Sequence, residues 1–187
     1  MSGMMSNSPR RIFNDWEDNG LPAGEAHIGQ TGRAFVISSV SVLASTAATY
    51  LAGCCAGTGG ILSFAGAARV AGGKGVVRGA TVVNRGDKEL DFDLILFHTT
   101  TISTTLTDAT TMVIDDVDMA KIAGVIACVT ADYVDLGTNH VAWLKDENIY
   151  FDLPANVSTL YGAMMTASSW TPTTTSDIGI SLAIEQF

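Results

Sequence analysis

The sequence predicts a mainly β fold, an antiparallel β-sandwich of jelly-roll-like form with one short helix and an extended N-terminal arm. Residues 75–97 hold two runs of β-branched and aliphatic residues on either side of a polar turn, the pattern of a strand, a turn and a strand. Similar short runs recur along the chain, separated by Gly, Asn and Asp. Apolar residues make up 47% of the 187 positions and charged residues only 16%, so we expect part of the surface to be covered by Ser and Thr or by other subunits.

Residues 1–30 differ from the rest, because Gly, Pro, Asn and scattered charges follow one another there without periodicity. We interpret them as an arm that precedes a sandwich domain of residues 31–187. Ile12, Phe13 and Trp16 are the apolar anchors of this arm. They either pack back onto their own domain or dock on a neighbouring subunit.

The first strand of the domain is predicted over residues 33–43, where Phe35, Ile37, Val40 and Val42 supply apolar surface. Residues 53–60 form a loop of small residues. The same reasoning places further strands at residues 61–67, in both halves of 75–97, and at 122–130, 141–144, 149–153, 159–167 and 178–187.

Turn residues at 84–88 and at 146–148 predict that the strands on either side of each turn form a β-hairpin. Residues 98–112 are rich in Thr and nearly uncharged, which is typical of an extended surface loop. Residues 115–121 predict the one short helix, since Asp115 or Asp116 can cap its N-terminus.

Composition limits the partners of this protein. The net charge is −9, with ten Lys and Arg, which is the wrong sign for a nucleic-acid binder; Arg10 and Arg11 are the one reservation. The uncharged stretch between Arg33 and Arg69 is long enough to span a bilayer, but it is rich in Ser, Thr and Gly, so we expect strands and no membrane. Met-rich residues at the start lack the pattern of a secretory signal.

Three cysteines, Cys54, Cys55 and Cys128, have no disulfide spacing and are expected to be buried thiols in a reducing compartment. His27, His98 and His140 lie far apart and lack metal-ligand spacing. We therefore expect no catalytic residue, no cofactor and no bound metal.

Three sequence patterns have a functional alternative. The tripeptide at residues 85–87 matches an adhesion motif, but it lies where a turn needs polar residues. Asp91 and Asp93 share one face of a strand and could chelate Ca²⁺, although the calcium-loop pattern is absent. With Trp143, the same two carboxylates are the candidate groups of a carbohydrate-binding or carbohydrate-hydrolysing sandwich.

From about residue 50 to the C-terminus the chain resembles the head decoration, or cement, proteins of tailed bacteriophages. The order and spacing of several segments carry the resemblance over about 130 residues: 62–68 (LSFAGAA), 75–80 (GVVRGA), 94–97 (LILF), 116–125 (DVDMAKIAGV), 160–163 (LYGA) and 180–186 (ISLAIEQ). The chain departs from the family at Cys54 and Cys55, where a polar or acidic residue is expected, and the first fifty residues are not covered.

The resemblance implies a non-enzymatic β-sandwich, often a homotrimer, that binds the major capsid protein on the outer surface of the virion after synthesis in the host cytoplasm. We expect such a protein to stabilise the head by binding the assembled shell. A tail or fibre component is the alternative within the structural class.

Overall fold

The computed structural model describes residues 34–42, 49–57, 60–86, 89–175 and 177–187. These residues belong to one compact unit, residues 34–187. The predicted arm, with Ile12, Phe13 and Trp16, lies outside the described residues.

The described residues form ten strands in two antiparallel sheets, which confirms the predicted β-sandwich. The strands are β1 (Ala34–Val42), β2 (Cys55–Ala56), β3 (Leu62–Phe64), β4 (Lys74–Asn84), β5 (Phe92–Phe97), β6 (Ile122–Cys128), β7 (Tyr133–Asp135), β8 (His140–Asp152), β9 (Leu160–Thr166) and β10 (Ile178–Gln186). Sheet 1 has the order β1-β10-β4-β8-β7, and sheet 2 the order β2-β9-β5-β6, with β3 also paired to β9.

The strand pairs are nested, which is the topology of a jelly roll. β5 pairs with β6 in sheet 2, β4 with β8 in sheet 1, β2 and β3 with β9 in sheet 2, and β1 with β10 in sheet 1. Successive pairs thus alternate between the two sheets while the sequence separation grows. The outermost pair joins Ala34 to Gln186, so the sandwich closes only when both ends of the described chain have met.

A single core fills the space between the sheets, because each strand alternates apolar residues that face inward with residues that face outward. In β10 the inward residues Ile178, Ile180 and Leu182 are fully buried, and Gly179 and Ser181 lie between them on the outer face.

The predicted hairpin over residues 75–97 is wrong, although both of its strands exist. β4 lies in sheet 1 between β10 and β8, whereas β5 lies in sheet 2 between β9 and β6. The turn after Asn84 therefore crosses from one sheet to the other, and its Gly86 amide donates to the Asn84 side chain at 2.8 Å. Polar turn residues indicate where a strand ends, but they do not say which strand it pairs with.

The predicted hairpin about residues 146–148 is also wrong, because β8 runs through this segment as one strand of 13 residues. Asp146 and Asn148 adopt the left-handed conformation, with φ of 61° and 49°. The pairing with β4 shifts there from Val77↔Ile149 to Gly79↔Lys145, so the three residues form a bulge. A Cβ on Gly79 would lie 2.6 Å from a carbonyl oxygen of β8, so the close approach at the bulge requires glycine.

The predicted helix is present as a 3-10 helix, Asp116–Lys121, and Asp115 caps it by accepting a hydrogen bond from the Val117 amide at 3.0 Å. Three details differ from the prediction. A second 3-10 turn, Thr130–Asp132, and the short strand β7 follow β6. The loop expected over residues 53–60 contains the short strand β2.

Candidate docking face

Sheet 1 has an outer face that the described part of the chain leaves open. Five large apolar side chains on this face are between 61% and 74% exposed: Phe35, Ile37, Val134, Trp143 and Tyr150. We call the outward-facing residues of sheet 1 the bare face. Isolated exposed apolar residues are ordinary, but a group of them on one sheet marks an interaction surface.

The register of sheet 1 places these residues in two ridges. Phe35 and Ile37 form a ridge on β1, and Trp143 and Tyr150 form a second ridge on β8. Phe35 and Tyr150 belong to the same row across the sheet, because Phe35 pairs with Glu185, Glu185 with Val76, and Val76 with Tyr150. β1 and β8 are three strand spacings apart, so the ridges stand about 14 Å from each other.

Except in the row of Phe35 and Tyr150, which holds Glu185 and Val76, small side chains line the space between the ridges. On β10 these are Gly179, Ser181 and Ala183, and on β4 they are Gly79 and Thr81. The bare face is therefore a shallow trough between two staggered ridges, since Ile37 shares its row with Lys145 and Trp143 shares its row with Ser39. A trough of this width can receive a strand or a helix of another protein.

An ion pair neutralises charge within the bare face. Glu185 is only 2% exposed although it lies on an outward row, and its Oε2 accepts from Arg78 Nε at 2.7 Å and from Arg78 Nη2. Arg78 Nη1 also donates to the Asn148 side chain, which holds the bulge of β8 against the sheet. Lys145 lies with its Nζ 5.3 Å from the centre of the Trp143 ring, a cation–π contact that orients the indole.

Sheet 2 presents the opposite case, because residues 98–114 cover its outer face. Ile95 and Phe97 of β5, Ala163 of β9, Cys55 of β2 and Met112 of this segment form a second buried cluster. The partly buried residues packed against this cluster are Ile102, Leu106, Ile114, Ile122, Tyr161 and Met165. The Thr-rich segment is thus the surface loop that the sequence predicts, and in the structure it covers a second core.

Asp118 fixes this covering segment. Its buried carboxylate accepts from the Ser103 amide at 2.8 Å, from the amide and hydroxyl of Thr104 at 2.6 and 2.7 Å, and from Lys121 Nζ at 2.8 Å. Burial by itself would raise the pKa of Asp118, but these hydrogen bonds outweigh it and hold the pKa well below its usual range. The carboxylate is therefore charged and fully paired, which suits a structural role.

Other aspartates bind loops in the same way. Asp108 accepts from the Tyr50 hydroxyl at 2.7 Å and from the Gly57 amide at 2.8 Å. Asp177 accepts from the amides of Thr173 and Thr174 at 2.6 and 3.0 Å, and hydrogen bonds from both residues lower its pKa against the effect of burial. Several of the acidic side chains thus stabilise loops by accepting hydrogen bonds from them.

The three candidate residues of a carbohydrate site, Asp91, Asp93 and Trp143, do not lie together. Asp93 alternates with the inward-facing Phe92 and Leu94, so it lies on the outer face of sheet 2, whereas Trp143 lies on the outer face of sheet 1. Asp91 accepts from the Thr130 hydroxyl at 2.7 Å and holds the turn after β6. Within the described ranges, no three His, Cys, Asp or Glu residues are placed to hold a metal ion.

The described histidines also stay apart from each other. His140 begins β8, with Nδ1 3.2 Å from the Gly86 carbonyl oxygen and Nε2 3.8 Å from Asp135 and 4.0 Å from Glu89. His98 follows β5 in sheet 2. His27 lies outside the described residues.

All three cysteines are buried and unpaired, as expected. Burial raises the pKa of the Cys55 thiol to about 11 and that of Cys128 to about 12, so both are protonated at neutral pH.

Sequence reasoning identified Trp143 only as part of a sugar site and did not identify the bare face. The available signal was the alternation of β8, in which Trp143 and Tyr150 fall between residues that fill the core.

No family model, curated protein or solved structure matches the chain. No helix in the described segments is both long and apolar enough to cross a bilayer.

Proposed function

We propose that this chain is a virion structural protein, a capsid decoration or cement protein that binds the outer surface of an assembled phage head and stabilises it without a catalytic step. The observation that carries the proposal is the bare face of sheet 1. Two aromatic residues with exposures of 70% and 66%, Trp143 and Tyr150, project from β8 there. Aromatic residues of this kind dominate the binding energy of protein interfaces.

The covered outer face of sheet 2 also supports sheet 1 as the side that binds the shell. Residues 98–114 bury Ile95 and Phe97 of that sheet, and the surface that they present to solvent is rich in Thr, with Val113 as an exposed apolar residue. An adaptor on a shell needs one side that binds the shell and one that remains in water. We therefore place sheet 1 against the major capsid protein and sheet 2 towards the medium.

Binding to the assembled shell stabilises that shell by mass action, because the decoration protein binds it more tightly than it binds free subunits. A ligand at 100 times its Kd adds about 2.7 kcal/mol per site to the bound state. The net charge of −9 disfavours contact with packaged or released nucleic acid. We also propose that Ile12, Phe13 and Trp16 of the predicted arm dock on a neighbouring subunit.

The test is binding of purified protein to heads that lack it, measured as occupancy against concentration. Trp143→Lys is expected to lower the affinity about 30-fold, the effect of losing an interface residue worth about 2 kcal/mol. Val117→Lys is the matched control. Val117 is 61% exposed and is placed on the 3-10 helix that follows the covering segment, so its variant should bind like the unchanged protein.

Equal binding of both variants would contradict the assignment of the bare face. Absence of binding by the unchanged protein would overturn the proposed function. Binding to purified tails in place of heads would favour the tail-component alternative.

A further inference from the structure

β1 is an open edge of sheet 1. It pairs with β10 over all nine of its residues, from Ala34↔Gln186 to Val42↔Ile178, without a break in register. On its other side, no backbone hydrogen bond to the rest of the described chain is formed. Edge strands of soluble proteins are ordinarily protected by charge, proline, a bulge or short length, and β1 (AFVISSVSV) has none of these.

The other sheet edges in the described part of the chain are protected. β7 has three residues and ends in Asp135. β2 is bonded on its outer side by residues 109–112, through the Cys55 amide to the Thr110 carbonyl at 2.8 Å and the Ala109 amide to the Cys55 carbonyl at 2.9 Å. β6 is seven residues long, but its pairing with β5 shifts from Leu96↔Gly124 to Phe97↔Ile122, so a bulge at Ala123 interrupts this edge.

We propose that β1 pairs with β1 of a second copy, antiparallel about a two-fold axis, so that two molecules share one ten-stranded sheet. This self-association goes beyond the proposed function, since it does not require a shell. It names the contact between copies, whereas the bare face is the contact with a different protein.

The strand is complementary to itself. With Ser38 on the axis, Val36 lies opposite the partner's Val40, and Ile37 lies opposite the partner's Ser39, so inward residues meet inward ones and outward residues meet outward ones. No like charges oppose each other, because the strand carries none. A nine-residue antiparallel pair forms about nine backbone hydrogen bonds, which is within the usual range for a protein interface.

A second copy also fits this edge better than a charged partner does, because β1 offers no side-chain charge for recognition. Phe35 and Ile37, 72% and 74% exposed in one chain, would lie opposite the partner's Ser41 and Ser39, and the two Ile37 side chains would be diagonal neighbours beside the axis. The axis is perpendicular to the sheet, so both bare faces point the same way. The dimer could then engage one surface with two faces at once, which raises its avidity.

The mass in solution tests the pairing, by light scattering over a range of concentrations. One chain is 19.5 kDa, so the expected dimer is 2 × 19.5 = 39 kDa. Ile37→Lys is expected to weaken the dimer at least about tenfold, because it places two like charges near the axis. Trp143→Lys is the control, an equally exposed residue of the same face on an interior strand, and should remain dimeric.

Hydrogen exchange distinguishes edge pairing from packing of the faces. In the dimer every second amide of β1, those that point away from β10, should exchange slowly, and in Ile37→Lys they should exchange at least about tenfold faster. A monomer, a trimer, or fast exchange of these amides in the unchanged protein would overturn the inference. The trimer that the phage resemblance implies cannot close through this contact. Loss of shell binding with the dimer intact would count against the proposed function alone.

Discussion

The two sheets of this sandwich have the same alternation of inward and outward residues, but the outer face of sheet 2 is covered and that of sheet 1 is exposed. On sheet 2 the outward residues Ile95 and Phe97 are buried beneath residues 98–114. On sheet 1 the outward residues Trp143 and Tyr150 have no such cover among the described residues. The chain itself thus completes one outer face, whereas the other stays exposed among the described residues, and it is this second face that we propose as the contact with a partner.

Covering a sheet with a loop has a structural requirement. The backbone of a buried loop must find hydrogen-bond partners, or it costs more than its apolar contacts contribute. Asp118 supplies partners for Ser103 and Thr104, and the backbone of residues 53–55 supplies partners for Ala109, Thr110 and Met112. The bare face has no comparable structure above it in the described part of the chain.

The largest expected effect is the loss of stability on truncating the covered face. Phe97→Ala removes a side chain that is fully buried between β5 and the covering segment. We expect the free energy of unfolding to fall by about 3–5 kcal/mol, from lost transfer energy and the cavity left behind. Chemical denaturation measures this change. A loss below about 1 kcal/mol would mean that the covering segment contributes little to the second cluster.

The second effect depends on pH, through Asp118. The pKa of its carboxyl is lower in the folded protein than in the unfolded chain, so its contribution to stability is present at neutral pH and is lost as the pH falls. Asp118→Asn removes the charge that Lys121 and the loop amides recognise. We expect the variant to melt several degrees lower at pH 7, and the gap to the unchanged protein to shrink below about pH 4.

Asp116→Asn is the matched control for this titration, because Asp116 is exposed and lies in the same 3-10 helix. Its melting temperature should follow that of the unchanged protein across the pH range. A gap for Asp118→Asn that stays constant down to pH 3 would show that the charge of Asp118 is not what holds the covering segment.

The sequence was sufficient to predict the sandwich, most strands and the capped helix, because alternation and capping depend on neighbours along the chain. The connectivity was not predictable in the same way. The turns at residues 84–88 and 146–148 have similar composition, yet one crosses between sheets and the other is a bulge within β8. Their roles depend on strands far away in sequence, such as β10, which pairs with β4.

The two outer faces were indistinguishable for a related reason. Phe97 and Trp143 both fall at outward positions, and local sequence does not say which of them a distant segment will cover. The Thr-rich residues 98–112 were predicted as a surface loop. The sequence does not reveal that this loop lies over sheet 2, because the contact that fixes it there joins Thr104 to Asp118, 14 residues away.

The smallest expected effect is that of Trp143→Ala on the stability of the isolated chain. Trp143 is 70% exposed, so its truncation leaves almost no cavity, and the free energy of unfolding should change by no more than about 0.5 kcal/mol. The same chemical class of change at Phe97 is expected to cost several times more, and denaturation of the two variants side by side measures the contrast between the faces. A loss of more than about 2 kcal/mol at Trp143 would mean that this indole packs against other side chains in the folded protein. The face would then be part of the fold, and the trough between its ridges would not be available to another protein.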